Sequence, residues 1–522
     1  MQRLAKITWS LFAIFMILVI ANAWISDDSY ITLRTVYNLT SGHGLRWNIS
    51  ERVQVFTHPL WMFLQVPVYA ILQHAYLTAI GLNILLTVAL VLLIIRRVGD
   101  HQQIITVFLF LMSSKAFIDF STSGLENSLA HLLFFLVFLE VKKILSKEKH
   151  ELKQLALLSS LLLLTRLDFV LLLAPVAAWC LWQSNPWSSK TWKVLFFGGL
   201  PLVLWEIFSL VYYGSFFPNT FYAKAQTGLP TADLFQQGGY YFLDSLQHDW
   251  PTLVMIILAA TWGIIKGSAV TRGWALGIVI YLAYVASVGG DFMSGRFFTV
   301  PFLIAVLCLT NTPLHKRTLL YLSLGVFGLS LLQPLHPAHI RPWYFEDRKT
   351  RVKEIYPHGI VDEKGFAWER SGFLALRPWK HVFNIETLLK DATNESATTA
   401  IQKWEVRVAI GMQGYEAGPA VHIVDQLALS DPLLARLPAE RRSNWRVGHY
   451  FRKIPKGYLE SLRSGRDALE DRALAEYYRH IQRVVSGPIW QTDRWKSIYL
   501  LNTGQLEHLI DQSYYQSLPI DQ

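Results

Sequence analysis

Cysteine is almost absent. Only Cys180 and Cys308 occur in 522 residues, and both sit in apolar runs. That excludes a disulfide framework and a cysteine-held metal cluster. Charge is scarce too: 16% of residues are Asp, Glu, Lys or Arg, against about a quarter in ordinary soluble domains. With 52% hydrophobic residues and a mean hydropathy of +0.28, the deficit argues against a soluble globular protein and for an integral membrane protein. No complete dinucleotide-binding pattern is present. "GMQGYEAG", 411–418, comes nearest and reads as a structural turn. No spacing of acids or histidines demands a metal, although the acids could hold a divalent cation, and no cofactor is required.

Long apolar stretches are what the chain does have. They predict eleven spans, near 7–24, 77–95, 101–117, 127–144, 154–165, 169–183, 194–213, 251–266, 273–288, 297–311 and 318–333. The first resembles a signal peptide, but similar runs recur up to residue 333, so a retained span is the better reading. A cytoplasmic N-terminus places fifteen basic residues inside, among them Arg96, Arg97, Lys142, Lys143, Lys147 and Lys149. Seven then fall in the opposite loops: Arg34, Arg46, Arg52, Lys115, Arg166, Lys224 and Arg296. This split obeys the positive-inside rule and accounts for much of the pI near 9.3 without invoking nucleic acid.

The outer loops also carry ten acids, including Asp27, Asp28, Glu126, Asp168 and Asp291. Mixed charge on one side marks where a site would lie. Residues 334–522 hold 26 basic and 23 acidic residues and no long apolar run. Strand-like stretches at 404–410 and 421–425, with helix-like sequence near 457–485, predict a soluble α/β or α+β domain. Odd span parity puts it outside the cytoplasm. The expected division is therefore a membrane domain over 1–333, with its first outer loop at 25–58, and an extracytoplasmic domain over 334–522.

Six motifs punctuate the outer side. In "SDDSYITLR" a single aspartate would cap a following helix, and two suggest a functional pair. If that helix runs to Asn38, then Tyr30, Arg34 and Tyr37 share one face. "GHGLRWNISERVQVFTHPLW", 42–61, carries His58 before a proline and otherwise reads as a connecting loop. "STSGLENSLA" places Glu126 at the mouth of a span, where an acid needs a partner or a cavity. Arg166 and Asp168 interrupt "LLLLTRLDFVLLL"; on a helix, residues i and i+2 do not face each other, so function is the default reading. Lys224 stands among aromatics in "YYGSFFPNTFYAKAQTG", suited to a lipid phosphate or to snorkelling. Asp291 and Arg296 follow two glycines in "VGGDFMSGRFFTVPFL" and could form an interfacial salt bridge.

The first outer loop, "DDSYITLRTVYNLTSGHGLRWNISERVQVFTHPLW", resembles that of the AftB-like arabinofuranosyltransferase family, which adds terminal arabinose to mycobacterial cell-wall arabinan. "SGLE", "TRLD", "PNTFYAK" and "GGDFMSGR" occur in the same order in that family and its LphB-like relatives. The blocks at 421–438 and 445–458 look similar too, so the resemblance covers most of the chain. It implies a GT-C glycosyltransferase: a polytopic α-helical membrane protein with an acidic first outer loop and a soluble C-terminal domain. It also implies a polyprenyl-phosphate sugar donor, a pentofuranose such as arabinose among the candidate sugars, and a cell-envelope glycan or glycoconjugate acceptor.

Such a reaction needs a base for the acceptor hydroxyl and cations for the leaving phosphate. Asp27 and Asp28 are the catalytic candidates, with Asp27 favoured as base by the resemblance. Arg34, Arg166, Lys224, Arg296 and His58 are candidates for the donor phosphate. Tyr30, Glu126, Asp168, Asn219 and Asp291 would position substrate. Backside attack would invert the anomeric centre. Two other classes compete. An envelope polysaccharide or lipid transporter would show internal repeats and broken helices at mid-membrane; no repeat is evident. In a non-catalytic glycan-assembly protein the aspartates would be structural.

Overall fold

The computed structural model describes residues 2–145, 152–225, 227–339, 358–375, 400–442 and 445–516. Lys147 and Lys149, counted above with the cytoplasmic charge, lie outside the described residues. The chain is mostly helical, and each of the eleven apolar stretches contains a helix. The number of crossings is another matter. Among the described residues, Ala75–Arg97, Ser189–Tyr212 and Ala269–Ser287 are long and apolar enough to cross a membrane. Thr231–His248 and Trp250–Lys266, bent by 112°, raise the number to four if they form one broken span. The other apolar helices are shorter. Leu152–Leu163 has 12 residues and rises about 18 Å, against a hydrocarbon core of about 30 Å. The structure therefore supports a helical membrane protein and not a count of eleven spans.

Two compact units form, and neither is continuous in sequence. The first comprises residues 1–26, 76–202 and 231–385; the second comprises 27–75, 203–230 and 386–522. This departs from the expected boundary at 333/334, and local bonding shows why. In the first unit, Val361 N donates to Phe292 O at 2.7 Å and Ser294 N to Val361 O at 2.9 Å. The helix Glu363–Ser371 follows, and Asp362 accepts from Gly365 N at its start. Trp368 packs there with Trp24, Phe120, Leu125, Phe292 and Met293.

The second unit gathers the first outer loop with the C-terminal residues. The strands Lys403–Arg407 (β1) and Val421–Asp425 (β2) pair in parallel, with Lys403 opposite Val421 and Arg407 opposite Asp425. The short helix Met412–Glu416 lies in their connection, so the glycine-rich stretch is structural, as expected. A two-stranded sheet leaves free edges. Asn48 covers part of one: Ile423 N donates to its Oδ1 and its Nδ2 donates to Ile423 O, both at 3.1 Å. Its side-chain amide thus stands in for a peptide group of a third strand. The core joins loop residues Ile31, Trp47, Val53 and Val55 to Ile423, Leu434, Tyr458, Leu474 and Ile481.

Candidate active site

Both aspartates lie in the first turn of the helix Asp27–Thr40 in the second unit. Carboxylates are favourable there, because they oppose the positive end of the helix dipole. Both are half-buried. Asp27 has a specific structural bond: its Oδ1 accepts from Met412 N at 2.9 Å. The approach is close, since a Cβ on Gly411 would lie 2.2 Å from Asp27 O and Oδ2. Only glycine fits without a shift.

The predicted face of this helix is real, and its partner is the turn that Asp27 caps. Tyr415 packs edge-on against Tyr30 at 5.7 Å and Tyr37 at 6.0 Å, and its hydroxyl meets that of Tyr69 at 2.8 Å. Between them, Arg34 lies 4.2 Å over the Trp47 ring. Its Nε, Nη1 and Nη2 donate to Trp47 O, Gly414 O and Val421 O at 3.0, 2.6 and 2.8 Å. The guanidinium thus joins three chain segments through backbone carbonyls. Burial, then Glu416 and Asp27, push the Tyr30 hydroxyl upward, so it stays protonated.

His58 is buried at the cap before Pro59, with Nε2 2.7 Å from Thr32 Oγ1. Asn219 Nδ2 lies 3.0–3.1 Å from the carbonyls of Ala428, Leu429 and Asp431, so it braces a loop. Lys224 is exposed. Beneath β2, Glu51 takes a hydrogen bond from Asn48 at 3.0 Å and lies 3.9 Å from His422 Nε2. Burial, then Asp431, push Glu51 up to about 8. Burial, then Arg34, push His422 down to about 3. At neutral pH both are uncharged, so their proximity is not an ion pair.

The first unit assembles the remaining candidates. Glu126 Oε1 accepts from Arg166 Nη1 at 3.2 Å and Arg296 Nη2 at 3.0 Å. Arg166 also grips Asp168 with two parallel bonds, Nε to Oδ1 at 2.9 Å and Nη2 to Oδ2 at 2.8 Å. Tyr281 donates to Asp168 at 3.3 Å, and Arg296 Nη1 reaches Asp291 at 3.4 Å. Five of the predicted residues therefore form one cluster. The sequence argument against an Arg166–Asp168 pair fails because the two residues do not share one α-helix: Arg166 caps the 3-10 turn Leu167–Phe169 that carries Asp168. Arg166 itself is extended (φ −159°, ψ 126°), so its side chain folds back over the turn onto Asp168.

The sequence has recognisable relatives. A terminal beta-(1->2)-arabinofuranosyltransferase of Mycobacterium tuberculosis is 24% identical over 520 residues, covering 82% of this chain and 80% of its own length. Over most of its length the chain is thus similar in sequence to a terminal arabinofuranosyltransferase. A protein of the same name from Corynebacterium glutamicum is 27% identical over 344 residues, covering 56% of this chain and 48% of its own. No family model and no solved structure matches.

A second buried network has no local signal in the sequence. In the first unit Lys115 Nζ meets Asp119 at 2.6 Å and Asp362 at 3.1 Å. Lys364 meets Asp119 at 2.6 Å and Asn22 Oδ1 at 2.7 Å. Burial would raise the Asp362 carboxyl, but Lys115 and Lys364 outweigh it and hold it low. Asp119 O also accepts from Trp24 Nε1 at 2.8 Å. "VDEKGF" reads as a solvated stretch, and nothing in it signals burial. Tyr241 was missed as well. Its hydroxyl donates to Met293 O and accepts from Phe297 N, both at 3.1 Å, so it shapes the "GGDFMSGR" loop. Gly290 there has φ +73°, and a Cβ would lie 2.4 Å from the Tyr241 ring.

Proposed function

We propose that this chain is an integral membrane glycosyltransferase. It moves a sugar, of the pentofuranose class that includes arabinose, from a polyprenyl-phosphate donor to a cell-envelope glycan or glycoconjugate. The reaction takes place on the outer face of the cytoplasmic membrane, with inversion at the anomeric carbon. The N-terminus is cytoplasmic and the C-terminal residues are extracytoplasmic. The observation that carries the reading is the similarity to a terminal arabinofuranosyltransferase over four fifths of both chains.

Asp28 is the general base in this proposal, taking the acceptor hydroxyl proton as the hydroxyl oxygen attacks. Asp27, whose Oδ1 accepts from Met412 N, orients the helix turn. A partly buried carboxylate at the start of an outer helix is a suitable proton acceptor. Of the five phosphate candidates, Lys224 presents an exposed ammonium. Arg166 and Arg296 keep their guanidinium charge beside Glu126, with Asp168 and Asp291 fixing their direction. Arg34 and His58 hold the scaffold of the acidic helix. Tyr30 and Asn219 support it through the contacts described above.

The test is transfer from a radiolabelled polyprenyl-phosphate arabinofuranose to an arabinan oligosaccharide by the purified protein in detergent. Labelled product made by wild type and lost in Glu126→Gln and Asp28→Asn supports the reading. Absence of product with every pentose and hexose donor presented from the host lipid extract would contradict it.

A further inference from the structure

The helix Asn219–Ala225 in the second unit is short, but it is held firmly on one side. Asn219 N donates to Gln54 O at 2.8 Å, in addition to its side-chain bonds to the 428–431 loop. The Tyr222 hydroxyl meets Ser215 Oγ at 2.7 Å, and Arg436 lies 4.5 Å over the Tyr222 ring. The fully buried Arg452 donates to Ala223 O at 2.7 Å. Asn219, Thr220 and Ala223 form the buried face.

The opposite face is unlike the surface of a water-soluble element. Phe217 and Phe221 are 44% and 46% exposed and stack on each other at 4.5 Å. Phe216, 46% exposed, precedes them. Lys224 follows Phe221 by three residues, on the same side of the helix. The chain reaches this point directly from the helix Ser189–Tyr212, of which only 11% is buried. Its outward Leu204 and Ile207 are apolar and exposed, as expected of a helix facing lipid. A rigid aromatic pair ending in one cation, continuous with a lipid-facing helix, matches an apolar chain that ends in one phosphate. The flat ring faces suit the planar alkene units of an isoprenoid, and a single ammonium suits a point charge on one phosphate.

We propose that Phe217, Phe221 and Lys224 form a docking edge for an isoprenoid phosphate, with the two rings against the first isoprene units and the ammonium at the phosphate. The choice of isoprenoid rests on the transfer reading above; the residues and their roles come from this geometry. Native mass spectrometry of the full chain in detergent, mixed with undecaprenyl phosphate, tests it without any sugar transfer. Wild type retains one lipid. Phe217→Ala/Phe221→Ala and Lys224→Ala each lower the bound fraction at least tenfold, with unchanged melting temperatures. An equal concentration of phosphatidylglycerol does not displace the bound lipid. Retention at wild-type levels in the variants would overturn the proposal, as would displacement by phosphatidylglycerol, which would make the edge a general membrane contact. The single variants Phe217→Ser and Phe221→Ser repeat the measurement if the double variant fails to fold. A wild-type chain that binds the lipid and transfers no sugar contradicts the transfer reading and leaves the docking edge supported.

Discussion

The two units bury charge in opposite ways. In the first, cation meets carboxylate: Arg166 and Arg296 share Glu126, and Lys115 and Lys364 share Asp119. In the second, buried cations meet backbone carbonyls and buried acids meet backbone amides. Arg34 bonds three carbonyls, and Arg494 bonds Val484 O and Tyr212 O at 3.0 Å. Asp425 accepts from Leu427 N and Ser430 N, and Asp431 from Leu433 N and Leu434 N. The helices of the first unit satisfy most of their own backbones, so most of these side chains neutralise one another; Asp249, which accepts from Lys115 N and Ala116 N at 3.1 and 2.8 Å, is an exception. The second unit has two short strands and long irregular segments. Its loops leave carbonyls and amides unpaired, and ionisable side chains close them.

This contrast is sharpest where one partner is removed. Glu126→Gln takes the shared, buried acceptor charge from two partly buried arginines, and the expected loss is up to about 3–5 kcal/mol, read as a lower melting temperature in detergent. A change within about 0.5 kcal/mol would show that the first cluster is solvated rather than buried. Arg34→Lys keeps the charge but not the fork or the stacking on Trp47. Losing charge-assisted bonds to carbonyls costs about 1.5–3 kcal/mol each in general. Limited proteolysis should therefore cut the second unit sooner while leaving the first intact.

The buried acids of the second unit carry a pH dependence. Burial raises Glu51 to about 8, Asp425 to about 7 and Asp431 to about 6. The folded form holds protons that the unfolded chain releases above about pH 4. Their contribution is complete below that pH and is lost as pH rises through 6 to 8. Each titrating group adds a slope of about 1.4 kcal/mol per pH unit within its own window. Proteolysis of the second unit should quicken from pH 5 to pH 8, and Glu51→Gln should flatten the upper part of that rise. A rate independent of pH, with wild type and Glu51→Gln alike, would mean that these acids are ionised and solvated. The smallest effect is expected at the sheet edge. Asn48→Ala leaves Ile423 N and O unpaired and costs about 1–3 kcal/mol, seen as faster amide exchange at Ile423.

What was legible in the sequence was local. Apolar runs marked the helices because burial in lipid is written residue by residue. They do not fix the number of crossings, since helix length depends on breaks such as residues 164–166. The spacing of Tyr30, Arg34 and Tyr37 foretold a shared face. The turn that packs on it lies some 380 residues away, and no local pattern names it. Glu126, Arg166, Asp168, Asp291 and Arg296 stood out because charge is conspicuous in apolar sequence. Lys364 and Asp362 did not, because a charged stretch in a polar region looks solvated until its partners are known. Asp27 and Asp28 were visible as a pair, while the amide that bonds Asp27 comes from Met412, far along the chain.

The division of roles between Asp27 and Asp28 is the most exposed part of the account. The direct measurement is sugar transfer by Asp27→Asn and Asp28→Asn, each read beside the melting temperature of the same preparation. The account predicts that Asp28→Asn remains folded and loses at least a hundredfold in transfer rate, within the range general base catalysis supplies. Asp27→Asn should instead lower the melting temperature and keep measurable transfer. A stable Asp28→Asn variant with wild-type turnover would contradict it.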